Sequence, residues 1–600
     1  ITIVSIALSS CTHRQYERTS PSTPDITAQE LQHHVKYLTS DELQGRRAGE
    51  KGNEVAAAYI ASEFKKYGLL PVGDKGTYLQ HFNFISSVKV GEQNKFAITA
   101  NGKSDTLTLQ EEFRPMGFSL DTTITAQLVF CGYGISDTAL NYDDYANIDV
   151  TNKIIIVLRY TPEGRKQESP FFKHAPFRAK AFQARTQGAA GAIFLSGPLD
   201  EDSIPRLIPF TFERGFGHSG IAAVTMKWTT VDSIFKLVGK DLKAIQQEMN
   251  STKQPQSFKL PGVIVSLQTQ VFKVTSTTAN ILGYSEGVDP VLKNEVLVIG
   301  AHMDHLGMGG DGSLKPDTVA IHYGADDNAS GTAALLEVAQ YVSSQRYSLK
   351  RSILFIAFSG EELGLLGSDY YVKNPAFPLE RTIAMMNMDM IGRLRESTLV
   401  VEGMGTSPRW RDIVQRQNAD SFFTLKLKDD GFGPSDHASF YAKDIPVMFF
   451  FTNLHSDYHR PSDTREKINY DGEQHIVEFV ARIVTDIANS TEKPAFTKVA
   501  SAGPGMSSDR ENIRVSLGVM PDYAEETVGL KISGTRAGSA AEKAGLQGGD
   551  IIIKLDGKDI KNIYDFMYLL GNYKPGDEVV VVIKRGNEEL SLHATLEARR

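Results

Sequence analysis

Between residues 275 and 490, continuous apolar runs alternate with amphipathic ones, and this alternation restricts the fold more than any other feature of the chain. The runs "EVLVIGAH", "SILFIAFSG", "TIAMMNMDMIG" and "IPVMFFFT" show no polar alternation, as expected of strands buried on both faces. The segments "ASGTAALLEVAQYVSS" and "GEQHIVEFVARIVTDIA" carry apolar residues at helical spacing. The pattern predicts an α/β domain, a mostly parallel mixed sheet covered by helices on both faces. In open sheets of this kind ligands gather outside the carboxyl ends of the strands. The residues that follow each run are therefore the candidates for chemistry.

One strand end is unusual. In "RSILFIAFSGEELGLLGS" the apolar run Ile353 to Phe358 is followed by two adjacent acids, Glu361 and Glu362. Like charges repel, and burial makes ionising them harder. A helix N-terminus would tolerate the pair, and so would a bound cation. Other strand ends add donors: His302 and Asp304 in "AHMDHLG", Asp326 and Asp327 in "GADDNASG", Asp389 in "NMDMIG", and His455, His459 and Asp463 in "NLHSDYHRPSDT". Taken singly, such a His is usually a hydrogen-bonded rim residue and such an Asp a helix cap. Taken together, nitrogen and carboxylate donors without thiolates suit Zn²⁺ in an open, catalytic site, with manganese or cobalt as chemical alternatives. The chain has only two cysteines, Cys11 and Cys131, so neither a cysteine zinc site nor a disulfide framework is expected.

At 600 residues the chain is too long for one ordinary core, and several domains are expected. Residues 26 to 70 read as helices, the first opening at an Asp25 or Thr27 cap and the second ending at Gly68. The net charge is −8 and no basic stripe appears, so nucleic acid is not an expected partner. The opening "ITIVSIALSSC" runs apolar and then turns to small residues, like the tail of a secretory signal. Its "LSSC" resembles a bacterial lipobox, which implies lipidation at Cys11. Residues 1–25 are thus read as signal remnant, lipobox and tether. The expected location is that of an exported lipoprotein, on the periplasmic face or the cell surface, touching the membrane only through its anchor. No later segment approaches the apolar length of a membrane span.

Three resemblances organise the remainder. Residues 121–270 contain the short apolar runs "AQLVFCGYGI", "KIIIVLRY", "GAAGAIFLSG" and "GIAAVTM" and resemble the protease-associated (PA) domain, a β-rich module inserted into some peptidases. A generic α/β insert is the plain alternative. After a linker at 496–510, residues 511–600 resemble a PDZ domain. "SLGVM" supplies the carboxylate-binding loop Ser516, Leu517, Gly518 and Val519, and "NIYDFMYLLGNY" the groove helix. This implies capture of a C-terminal peptide in the groove, with a structural appendage as the alternative.

The donor motifs "AHMDHLG", "GADDNASG", "SGEELGLLGS", "NMDMIG" and "DYHRPSDT", in this order, resemble the di-zinc aminopeptidase family, which also includes glutamate carboxypeptidases and glutaminyl cyclases. The resemblance covers 26–120 and 275–495. It implies two zinc ions per chain, one held by His302 and Asp389, the other by Glu362 and His459, with Asp327 bridging both. The ions would share a water and lower its pKa toward about 7. Glu361 would act as general base, and Tyr458 would donate a hydrogen bond to the tetrahedral oxyanion. Asp304 would accept the far imidazole N–H of His302. Ser435, Asp436 and His437 would stand behind the ligands, His305 and His455 would be loop structure, and the Asp327–Asn328 peptide bond would be cis. The expected activity is removal of N-terminal residues from peptides. Three alternatives stay open: a carboxypeptidase, for which Arg393 and Arg395 could clamp a terminal carboxylate; a one-zinc glutaminyl cyclase; and a non-catalytic PA/PDZ scaffold, which the intact donor set disfavours.

Overall fold

Four parallel strands stand at the centre of the first sheet of the computed structural model. Their spatial order is Ser352–Phe358, Val296–His302, Thr382–Met388 and Val447–Phe451. The model describes residues 24–200, 204–212, 217–310, 312–315, 317–499, 515–522, 527–536 and 538–598; Cys11 and most of the expected linker lie outside them. Side chains of the central strands point alternately into two cores. Leu297, Ile299, Ile353 and Phe355 enter the first, Val296, Val298, Leu354 and Ile356 the second. Helices Ala28–Leu38, Gly331–Ser344 and Tyr470–Asn489 close the first core; Leu366–Lys373 and His437–Tyr441 close the second. Antiparallel partners flank the centre: Val271–Ser285 beside Ser352–Phe358, and Thr398–Glu402 beside Val447–Phe451. This is the helix-covered mixed sheet expected from the unbroken apolar runs.

Chain order and spatial order differ at one place. From Val296–His302 the chain passes to Ser352–Phe358 on one side, then crosses to Thr382–Met388 on the other. At such a reversal the following loops diverge and leave a crevice at the carboxyl ends of the strands. His302 ends one of these strands, and Glu361, Glu362 and Asp389 follow two others.

A second sheet has Thr122–Cys131, Ile154–Leu158, Gly191–Leu195 and Ala222–Met226 as parallel neighbours, the runs read as an insert. Lys95–Ala100, Lys103–Thr106 and Phe113–Pro115 also pair into this sheet. It therefore reaches back into residues that the sequence division at 120 assigns to the first domain. The half-buried alternation of "KFAITA" marks a strand but not the sheet it joins. A ribbon of Leu79–Val90 with Val271–Ser285 links the two sheets. The C-terminal unit consists of antiparallel strands, including Val519–Pro521, Leu530–Thr535, Ile551–Leu555, Glu578–Arg585 and Glu588–Thr595, with the helix Ile563–Leu570.

The first helix is capped by Thr27, whose hydroxyl accepts the Glu30 N–H at 3.2 Å. Just beyond this helix lies Arg46, a fully buried cation that no sequence motif marks. Its Nε donates to Met303 O at 2.9 Å, Nη1 to Leu38 O at 2.5 Å and to Tyr323 O at 2.8 Å, and Nη2 to Gly324 O at 2.9 Å. One guanidinium thus ties together the loop after His302 and the loop before Asp327. Burial lowers its pKa to about 10, against the opposing pull of Asp304, Asp327, Asp463 and Glu362. Gly45, immediately before it, has φ +73°, and a Cβ there would meet Gly307 O at 2.5 Å. Arg46→Met leaves these buried carbonyls unpaired at about 1–3 kcal/mol each. The expected result is a loss of at least about 3 kcal/mol in urea unfolding, and an unchanged midpoint would show that Arg46 holds nothing in place.

Candidate metal centre

The donors come from separate loops and meet at the carboxyl edge of the first sheet. His302 is the last residue of its strand, and its Nε2 lies 3.4 Å from Asp327 Oδ1 and 3.3 Å from Asp389 Oδ1. Asp327 Oδ2, the other oxygen of the same carboxylate, lies 3.2 Å from His459 Nε2, and Glu362 Oε2 lies 3.1 Å from that nitrogen. Asp327 therefore faces two adjoining centres, one oxygen to each. Two groups of converging ligand atoms result: His302, Asp327 and Asp389, and His305, Asp327 and Glu362. His459 adjoins the second.

The residues fit a cation on two further observations. His302 Nε2 and Asp389 Oδ1 are buried and close, yet neither makes a hydrogen bond. They point at a common space rather than at each other, which suits two ligands of one ion. The far nitrogens are also occupied as metal-bound imidazoles require. His459 Nδ1 donates to Gly312 O at 2.8 Å, and His302 Nδ1 to Asp304 O at 3.2 Å, leaving each Nε2 lone pair free to coordinate.

The electrostatics agree. Burial opposes a charge on His302, but Asp389, Glu361 and Asp327 outweigh it and hold the imidazole's pKa well above its usual value. For His459 the same contest, won by Glu362 and Asp327, raises the pKa to about 11. Burial and Asp327 both push Glu362 upward, yet His459 and His305 prevail and bring it down to about 2. The site thus favours positive charge at its centre. Glu361 behaves differently. Burial pushes its pKa well above the carboxylate range, Asp389, Glu362 and Asp436 add to the rise, and His302 opposes it. Adjacent in sequence, the two glutamates sit in opposite fields.

Several residues differ from their expected roles. Asp304 does not reach His302 through its carboxylate: Oδ1 is 3.9 Å from Nδ1, and the main-chain carbonyl of Asp304 takes that proton instead. The carboxylate accepts the Glu361 N–H at 3.2 Å and so positions the glutamate turn. His305, read as loop structure, is fully buried with Nδ1 2.6 Å from Glu362 Oε1. The sequence marks only one of the two histidines in "HMDHLG" as a donor, because spacing alone does not show that a tight loop turns the second inward. His455 Nε2 lies 3.1 Å from Asp326 Oδ2, bracing the neighbour of Asp327. Asp463 accepts the N–H groups of Asp326 and Asp327 at 2.8 and 3.1 Å.

Of the groups placed behind the ligands, Ser435 donates to Asp389 Oδ2 at 2.7 Å. Asp436 is fully buried, and burial raises its pKa to about 7. His437 stacks on Phe449, and burial lowers its pKa to about 3. The ring of Tyr458 stacks on His459 with centroids 3.8 Å apart, and Tyr458 lines the same cavity as Glu361 and Glu362. The Asp327–Asn328 bond is cis.

A sheet edge of this kind, with buried imidazoles and carboxylates meeting at two adjoining centres, offers ligands suited to metal ions. Residues 280–484 match peptidase family M28, and residues 506–596 match the PDZ domain. Leupeptin-inactivating enzyme 1 of Streptomyces exfoliatus is 31% identical over 208 residues, covering 34% of this chain and 42% of that one. Aminopeptidase YwaD of Bacillus subtilis (strain 168) is 24% identical over 470 residues, covering 76% and 85%. Among solved structures, the zinc aminopeptidase BSAP from Bacillus subtilis is similar with a TM-score of 0.45 at 22% identity, covering 80% of this chain and 98% of that one. The chain is thus similar to family M28 peptidases over residues 280–484 and to PDZ domains over residues 506–596.

Because His305 orients Glu362 by a hydrogen bond, His305→Ala is expected to lower metal affinity by about 10–100-fold. Competition against a chelator reads this directly, and an unchanged affinity would reduce His305 to a packing residue.

Proposed function

We propose that the protein is a di-zinc aminopeptidase that hydrolyses the first peptide bond of its substrates. The observation that carries this reading is the pairing of two donor clusters through the two oxygens of Asp327, with Glu361 beside them and outside both. His302, Asp327 and Asp389 would hold one ion, and Asp327, Glu362 and His459 the other. The pair would supply Lewis acidity toward the scissile carbonyl and acidify water in the site.

The remaining work falls to the chain's own residues. Glu361 lines the cavity, and its Oε2 stays 3.8 Å from His302 Nε2, outside hydrogen-bonding reach of the cluster. Its raised proton affinity suits a group that takes a proton from the attacking water and passes it to the departing amine. Tyr458, which lines the same cavity, would donate its hydroxyl proton in a hydrogen bond to the carbonyl oxygen as it becomes tetrahedral.

The carboxypeptidase alternative needs a cation free to grip a terminal carboxylate near the centre. Arg393 is committed to Asp463 at 3.0 Å and Asp457 at 3.4 Å, and Arg395 to the carbonyls of Thr452, Asn453 and Leu454. These bonds favour attack from the amino end. The PA-like insert and the exported, Cys11-anchored form belong to the same proposal and rest on sequence alone.

Glu361→Gln is expected to keep both ions by elemental analysis while kcat on a leucyl peptide falls by on the order of 10²–10⁴. Full activity in this variant would remove Glu361 from the proposed mechanism.

A further inference from the structure

The carboxylate loop of the PDZ domain and the metal centre open into one cavity. A volume of about 660 Å³ has Glu361, Glu362 and Tyr458 on its wall together with Ser516 to Val519, Arg536, and Phe566, Met567 and Leu570 of the groove helix. The PDZ domain is held against both other units. Lys373, at the end of the helix that follows the glutamate turn, lies 2.8 Å from Asp522 and 2.9 Å from Asp369. On the opposite side Arg185 of the insert meets Asp565 at 2.7 Å, and His174 meets the Tyr568 hydroxyl at 2.9 Å. Phe182 of the insert joins the PDZ core, its ring 5.2 Å from that of Tyr568. The groove helix thus has one face on the insert and the other on the shared cavity.

The loop itself is built to receive an anion. Gly518 has φ +84°, and a Cβ there would lie 2.2 Å from Ser539 Cβ, so only glycine fits. The carbonyls of Leu517 and Gly518 are taken from within the domain, by Ala541 N at 2.7 Å and Arg536 N at 2.9 Å. With the carbonyls turned inward, the amides of the loop are the groups left to meet a ligand. The Arg536 guanidinium bonds the Ser516 hydroxyl and adds positive charge at the cavity wall. Backbone N–H groups with a neighbouring cation are the usual receptor for a terminal carboxylate.

Direction follows from the strand beside the loop. Among the described residues, Val519–Pro521 pairs with Leu530–Thr535 on one side only and is the terminal strand of its sheet. A peptide with its carboxylate on the loop and its backbone along Val519–Pro521 must run antiparallel to that strand. Its amino end then points past Pro521 toward Asp522, the residue tied to Lys373. Lys373 lines the same cavity as Glu361 and Glu362, so the amino end enters the space that the metal centre opens into.

We propose that the PDZ groove is the far subsite of the peptidase: it binds the free C-terminal carboxylate of an oligopeptide whose N-terminus lies at the metal centre. The preferred substrates are then oligopeptides long enough to span the cavity, rather than dipeptides or long protein chains. This inference rests on the aminopeptidase reading above.

The test is a length series of leucine-headed alanine peptides, each made as the free acid and as the C-terminal amide, hydrolysed by the full zinc-loaded chain. For dipeptides, which cannot reach the loop, acid and amide should differ little. At the bridging length the acid should have a KM on the order of tenfold below that of the amide, and Arg536→Gln should bring the ratio back toward one. Equal KM for acid and amide at every length in the wild-type chain would overturn the proposal, whatever the variant does. Tight binding of acid peptides by fluorescence anisotropy with no acid preference in hydrolysis would also overturn it, assigning the groove to the C-terminus of a partner protein. Absence of any cleavage, dipeptides included, would sink the aminopeptidase reading itself and this inference with it.

Discussion

Asp327, Glu361, Glu362 and Asp389 crowd the carboxyl edge of one sheet, and their mutual repulsion is the constraint that the surrounding structure answers. Without a compensating positive charge, ionised carboxylates at this separation and burial would cost several kcal/mol each. In the metal-free chain the compensation comes from protonated imidazoles: His302 and His459 both have raised pKa values for this reason. A pair of cations would replace those protons with more charge at the same place, and Asp327, with one oxygen toward each cluster, would offset the repulsion between them. Arg46 adds a third contribution. It lies behind the cluster rather than in it, and it fixes the loops on which the donors stand.

The same constraint separates the two glutamates. Glu362 is drawn into the field of His305 and His459 and becomes a strong acid. Glu361 faces Asp389 and Asp436 and becomes a weak one. One carboxylate suited to holding a metal and one suited to carrying a proton thus arise from neighbouring positions in a single turn. The Asp304 carboxylate holds that turn through the Glu361 N–H.

The central strands and the donors on them were legible because both obey short-range rules: unbroken apolar runs make buried strands, and polar residues directly after such runs lie at the sheet edge. His302, Glu362 and Asp389 are of this kind, while Asp327 and His459 lie in loops farther from any strand and were legible through the motif resemblance. What was not legible depended on loop conformation or distant pairing. His305 faces Glu362 only because the loop after His302 turns it inward. Arg46 is more than 250 residues from Met303, whose carbonyl it binds. The strand Lys95–Ala100 joins the second sheet through Ser257–Thr269, a pairing that no local pattern announces. The opening of the PDZ groove onto the metal centre needed all three units in place.

Anomalous diffraction at the zinc edge, on crystals of the zinc-loaded chain, addresses the central claim most directly. Two adjoining peaks are predicted, one between His302, Asp327 and Asp389 and one between Asp327, Glu362 and His459, with Glu361 bonded to neither. A single peak away from Asp327, or none within reach of these side chains, would contradict the account.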